Sequence, residues 1–429
     1  MPESNDPHDG SPIVDDATPK GVADTGGQGR IADLFRISDF RRLLGGTLIS
    51  SFGMWSERLA VSWFVFNATG SVLLTGLVAT SQYAQRMIFG PLAGALADRY
   101  PRNRIIATAA LVKVSAVLTI AGLVSLEHPP LVLLFCVIVV SAIGGTFTGS
   151  SLQTLAGDIV GPAMRARAVS LVWTGQRAVA ALGGMATGAL IGSAGVSWSV
   201  LLSASMLALA ALVYSGVADP RPRRTAAVPT SLIGETFEGL RMVRHDRTLA
   251  TLLALAAAAE VFGFSYTALL PALAERTLHV DAVGFGALSA VAGIGSVVAT
   301  LCLTAADNRV RRGLLLIGVF AVFGSLLIAL GSSRVYWLSL LIALGLGGCT
   351  ALIDTLEVIM LQAVVEDRLR GRALGAWNMA YGLGWMGPMI LGAVADAVSL
   401  SAAYTLAGCV LIAIAAGTAV TAPRLRNTR

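Results

Sequence analysis

The chain has 429 residues, of which 55% are hydrophobic and only 13% charged, with a formal net charge of +6 and a mean hydropathy of +0.74. Soluble domains carry about 25% charged residues. The composition therefore excludes a soluble globular protein and a disordered chain, and leaves an all-α polytopic membrane protein.

Residues 1–33 are polar, acidic and rich in Gly and Pro, and the tail they open is placed over 1–38. They lack the basic start and apolar core of a signal peptide and are expected to form a disordered cytoplasmic tail. Apolar runs near the ~20 residues that span a bilayer then recur. They predict twelve transmembrane helices at 43–66, 72–97, 105–126, 130–155, 169–193, 197–217, 248–273, 283–304, 314–331, 335–361, 373–397 and 402–421. The segment 218–247, opening "ADPRPRRTAAVPTS", reads as a cytoplasmic linker. It divides the chain into six-helix bundles over 39–217 and 248–421, followed by a cytoplasmic tail over 422–429.

Lys and Arg fix the expected orientation. The tails and the even-numbered connections hold 25 of them, and the opposite side holds Arg276 and Arg334 alone. Both termini are thus expected in the cytoplasm of a plasma-membrane protein. The same bias accounts for the net charge without a nucleic-acid partner.

The connection after the second run, "GPLAGALADRYPRNR", returns in weaker form as "LTAADNRVRRGLLLIG". Asp98 and Arg102 match Asp307 and Arg311 at an offset of 209. "MRARAVSLVW" likewise matches "LRGRALGAWN" at an offset of 205. The chain reads as a tandem duplication of a six-helix unit.

Twelve spans in two parallel repeats, together with the loop motif Gly94, Asp98, Arg99, Arg102, Arg104, resemble the major facilitator superfamily. Within it the chain looks most like the branch of enterobactin-type siderophore exporters and macrolide-type efflux pumps. The stretches carrying this are "FRRLLGGTLISSFG", "GPLAGALADR" and "EVIMLQAVVEDRLRGRALGAWN". The resemblance implies two bundles rocking about a central cavity. It also implies a cytoplasmic gate: Gly90 and Gly94 admit a neighbouring helix closely, and Asp98 docks on the N-terminus of helix 11. By the repeat, Asp307 would face the start of helix 5. The chain departs from the family's drug–proton antiporters in having no Arg in helix 4, and its Gly-Pro pair is Gly387-Pro388 in helix 11 rather than in helix 5.

Charge at the bilayer centre is costly and marks a functional candidate. At ~1.5 Å per residue, Glu57, Arg86, Glu260 and Asp354 fall roughly 16–21 Å from the cytoplasmic edge, near the midplane. Lys113, Arg177 and Glu357 fall at about 12 Å, within snorkelling reach for the two bases. Arg58 completes the set. Glu57 with Arg86 is either an ion pair or a protonation switch. Asp354 and Glu357, one turn apart, are either a proton site or a salt bridge to Arg177 or Lys113. Trp55, Gln82, Gln85, Gln153, Tyr266, Trp377 and Tyr381 are candidates for lining a cavity.

No P-loop, metal-ligand spacing or catalytic arrangement is present, and Cys136, Cys302, Cys349 and Cys409 read as helix-packing residues. An enzyme, a metal site and a cofactor are not expected. The expected function is secondary transport, with export of an amphipathic organic solute in exchange for protons by a single copy of the chain in contact with lipid. The alternatives are an importer or uniporter, a non-transporting sensor, and a lipid flippase.

Overall fold

The structure, a computed structural model, describes residues 31–161, 164–217, 247–305, 311–365, 376–377 and 379–426. Long helices account for nearly all of them, and no strand occurs among the described residues. In chain order they are α1 (Ser38–Thr69), α2 (Val72–Arg99), α3 (Arg102–Val124), α4 (Leu131–Val160), α5 (Arg165–Ala194) and α6 (Val196–Ser215). After the segment 218–246 come α7 (Arg247–Thr277), α8 (Ala282–Ala305), α9 (Arg312–Ser332) and α10 (Tyr336–Val364). Then α11 passes through a tight 3-10 turn at Leu383–Trp385 into Met386–Ala397, and α12 is Leu400–Thr421.

Local chemistry sets the turns. Gly70 takes the left-handed conformation (φ 65°) that closes α1, its N–H bonding to the Phe66 carbonyl. Ser71 follows at once and caps α2 through the Leu74 N–H. Pro101 and Pro130 precede α3 and α4, where the missing N–H is harmless. Inside α7, Ala259–Phe264 and Leu273–Thr277 widen into π-turns flanking Pro271, and the Ser265 hydroxyl donates to the Glu260 carbonyl.

Eight described helices are long and apolar enough to cross a membrane: α3, α4, α6 to α10 and α12. The 32 residues of α1 extend ~48 Å, long enough to cross, but include polar and charged residues such as Ser50, Ser51, Glu57 and Arg58. Contacts between the chain's two halves are made by helices of both kinds, with α2 against α11, α5 against α8, and α7 against α1 and α2. Within each half the same pairs recur six helices apart. Thus α3 packs on α6 as α9 does on α12, and α2 on α4 as α8 does on α10.

The α5–α8 crossing depends on glycine. A Cβ on Gly188 would come 2.6 Å from the Ala282 carbonyl oxygen, and one on Gly286 2.6 Å from that of Gly184. Gly90, expected at such an approach, has nothing within 4 Å of its Cβ position, because the close α2–α11 contact is made instead at Gly76, against Pro388.

The expected tails also need correction. Leu34 is fully buried among Phe40, Leu44, Ala168 and Val172, so burial of apolar side chains begins before residue 38. At the other end Pro423–Arg426 forms a helical turn with Leu425 buried. The expected linker lies outside the described residues except for Arg247, which opens α7.

Candidate functional site

The deepest charges form two groups. The first lies wholly within the first half. The Lys113 ammonium on α3 donates to Glu57 Oε2 on α1 at 2.7 Å and to the Ser141 hydroxyl on α4 at 3.0 Å. Ser141 in turn donates to Glu57 Oε1 at 2.5 Å. Glycine makes room for this: a Cβ on Gly144 would meet the Ala109 carbonyl at 2.8 Å and Lys113 Cβ at 3.1 Å. Glu57 and Lys113 are 5% and 8% exposed, so Lys113 does not snorkel, and the partner of Glu57 is Lys113 rather than the expected Arg86. A compact, closed triad of this kind neutralises its own charge.

The second group crosses between the halves. Arg177 on α5 bonds Asp354 on α10 at 2.9 Å, with both side chains about one-fifth exposed (23% and 21%). One turn along α10, Glu357 is 3% exposed. Its Oε2 accepts from the Trp377 indole N–H at 3.2 Å, and its Oε1 is buried without a hydrogen-bond partner. An aromatic chain leads back to the first half. Trp377 packs on Tyr381 (centroids 5.7 Å), Tyr381 on Tyr83 of α2 (6.1 Å), and Tyr83 under the Arg58 guanidinium of α1 (5.7 Å). Arg58 also lies over Trp55, 5.3 Å from the ring centre.

Glu260 sits at the first π-turn of α7 and is 3% exposed. Its carboxylate lies against Gly384 of α11, where a Cβ would come 2.8 Å from Oε2 and 3.2 Å from the Tyr83 ring. The halves therefore meet at mid-depth through a carboxylate, a bare backbone and an aromatic ring.

A third contact closes the end of the bundle opposite the chain termini. Asp396, in the last turn of α11, accepts from the Ser71 hydroxyl (2.7 Å), the Val72 N–H (2.9 Å) and the Leu73 N–H (3.0 Å). It thereby caps the N-terminus of α2, where the helix dipole favours a negative charge. Beside it Arg276 of α7 donates to the Gly70 carbonyl and covers the Phe66 ring.

Several expected site residues fall elsewhere. Arg102 pairs with Asp158 of α4 at 2.5 Å, inside the first half. Arg311 is exposed at the start of α9. Asp98 and Arg99 end α2, but their side chains lie outside the described residues, as do those of Gln82, Arg86, Gly94 and Gln153. Asp307 lies outside them altogether. Tyr266 is 2% exposed, in the core of the second half and edge-on to Phe323. Gln85 is buried with its Oε1 lacking a partner. Sequence reasoning missed Ser141, Asp158 and Asp396, and left Arg58 out of the candidate site. Only Arg58 carried a signal, its depth.

The sequence matches the profile of the family described as Transmembrane secretion effector over residues 31–428. It is 25% identical over 384 residues to the enterobactin exporter EntS of Citrobacter koseri, covering 87% of this chain and 89% of that protein. It is 22% identical over 372 residues to the staphyloferrin A transporter of Staphylococcus aureus, covering 84% and 91%. In fold it is similar to a bacterial homologue of the human lysosomal transporter Spinster, solved inward-facing and unoccupied, with a TM-score of 0.67, 17% identity and coverage of 90% and 96%. It is also similar to the nucleoside transporter NupG, with a TM-score of 0.70, 12% identity and coverage of 90% and 100%.

Proposed function

Because the chain belongs to the transmembrane secretion effector family of major facilitator transporters, we propose that it exports an amphipathic organic solute across the plasma membrane by proton-coupled alternating access. In this reading twelve spans form two six-helix bundles with both termini in the cytoplasm, and one copy surrounded by lipid is the working unit. The solute occupies the space between the bundles. The Asp98 loop, with Asp307 as its weaker counterpart, latches the cytoplasmic side.

The observation carrying the coupling is the Arg177–Asp354 bond between the halves, one turn from the incompletely satisfied Glu357. Two neighbouring carboxyls, of which only Asp354 is paired with the guanidinium, can share a proton between them. A proton on Asp354 removes the ionic tie that joins α5 to α10, so the halves separate more readily. Proton release restores the tie. Export direction and a siderophore-like cargo are carried over from the enterobactin exporter relatives.

Metabolite profiling of cells and medium tests this, with the gene deleted, restored, and restored as Asp354→Asn. A compound that accumulates inside the deletion strain and leaves only with the intact gene is the expected result. A nutrient that fails to enter the deletion strain would instead identify an importer.

A further inference from the structure

Lys113 and Arg177 each face a carboxylate in the interior of the helices. Arg58 does not. It lies about 16 Å from the far end of α1, near mid-depth, and its recorded contacts are the faces of Trp55 and Tyr83. The guanidinium thus has two aromatic neighbours and no carboxylate or carbonyl acceptor among the described residues, which leaves its N–H edge to another partner. That edge is the part which binds carboxylate-like groups two bonds at a time.

An uncompensated cation at mid-depth is costly, and two aromatic rings reduce the cost without neutralising the charge. Its position adds a second argument. Tyr83, which holds Arg58 from α2, packs on Tyr381 of the opposite half, so the cation sits where the two halves meet. Arg58, Trp55, Tyr83 and Tyr381 are all partly exposed rather than buried. A group entering between the halves meets a cation edge flanked by flat rings.

We propose that Arg58, clamped by Trp55 and Tyr83, is the docking point for an anionic group of the transported solute, so that the cargo carries a negative charge beside a flat, conjugated portion. This rests on the transport reading for its role, and on the geometry alone for its chemistry. The acids of the second half, Asp354 and Glu357, already have Arg177 and the Trp377 N–H respectively. Glu260 lies across the Tyr83 ring from it, against Gly384, so of the described interior bases Arg58, Lys113 and Arg177, Arg58 is the one without a paired carboxylate.

The test uses the full chain in nanodiscs and two flat dyes of opposite charge, carboxyfluorescein and ethidium, followed by fluorescence anisotropy. Saturable carboxyfluorescein binding is expected. It should weaken about tenfold or more in Arg58→Gln, the scale of one charge-assisted contact, and be only partly retained in Arg58→Lys, which keeps the charge but not the two-pronged edge. Tyr83→Leu, which removes the clamp and leaves the charge, should weaken it by a smaller factor and serves if Arg58→Gln does not fold. Preferential ethidium binding, no saturable carboxyfluorescein binding, or an affinity indifferent to both Arg58→Gln and Tyr83→Leu would overturn the assignment. Dye bound through Arg58 but never moved in proteoliposomes would remove the transport reading and leave the docking site standing.

Discussion

The two groups of buried charge are built from the same residue types and behave as opposites. Glu57, Lys113 and Ser141 come from α1, α3 and α4 of one half, and each satisfies the other two. Arg177, Asp354 and Glu357 come from both halves, the first two partly exposed, and leave a Glu357 carboxylate oxygen without a hydrogen-bond partner. On the transport reading proposed above, a network inside one half can stay closed because nothing has to move past it, whereas a network across the boundary, left incomplete, changes its energy with a proton or a displacement. On that reading satisfaction, rather than depth, separates structural from functional charge.

That contrast is broken most directly at Lys113. Lys113→Met removes the cation from a site where Glu57 is 5% exposed, and stranding one partner of a buried pair costs about 3–5 kcal/mol. Thermal unfolding of the purified protein should show a large drop in midpoint. The double variant Lys113→Met with Glu57→Gln should recover most of it, because no bare charge remains. A single variant that unfolds with the wild type would mean the triad contributes no structural stability.

The interface pair should give the reverse pattern. Asp354→Asn and Glu357→Gln are expected to lower transport tenfold or more, on the scale of ~1.4 kcal/mol in the barrier, while the unfolding midpoint barely moves. Equal loss of stability in both groups would erase the distinction.

Glycine offers a comparison with no charge in it. Gly144 sits at a crossing within one half, and Gly188 at a crossing between halves, with Cβ clashes of 2.8 and 2.6 Å respectively. Gly144→Ala should destabilise the fold by about 1–3 kcal/mol, as overpacking does. Gly188→Ala should instead part the halves at the far end, read as faster maleimide labelling of a cysteine placed at Ser193, with a smaller thermal shift.

The sequence conveyed the helices and the depth of each charge, because both depend on position along one axis. It did not convey partners, which depend on rotation about that axis and on how closely helices approach. Arg86 and Lys113 were both within reach of Glu57 by depth, and the choice was made by Gly144, which brings α4 and Ser141 against Lys113. The direction of Tyr266 was beyond the sequence for a related reason. The π-turn at Ala259–Phe264 shifts the helix face beyond it by as much as about 100° per extra residue, which a plain helical pattern does not contain. Asp396 carried no local signal at all. Its role exists only because the start of α2 lies across from the end of α11, more than 300 residues away in the chain.

Asp396 gives the smallest and most selective prediction. Its carboxylate caps α2 from the opposite half, so it acts between the units while being too exposed to contribute much to folding. Asp396→Asn keeps the shape, removes the charge and supplies at most about 1 kcal/mol less favour to the helix end. That is negligible against unfolding but about fivefold in an equilibrium between two arrangements of the halves. The expected result is an unchanged thermal midpoint with a several-fold rise in labelling of a cysteine at Ser193, weaker than that of Gly188→Ala. The effect should also shrink in high salt, since the contact is electrostatic and near water, which a purely steric opening at Gly188 would not do.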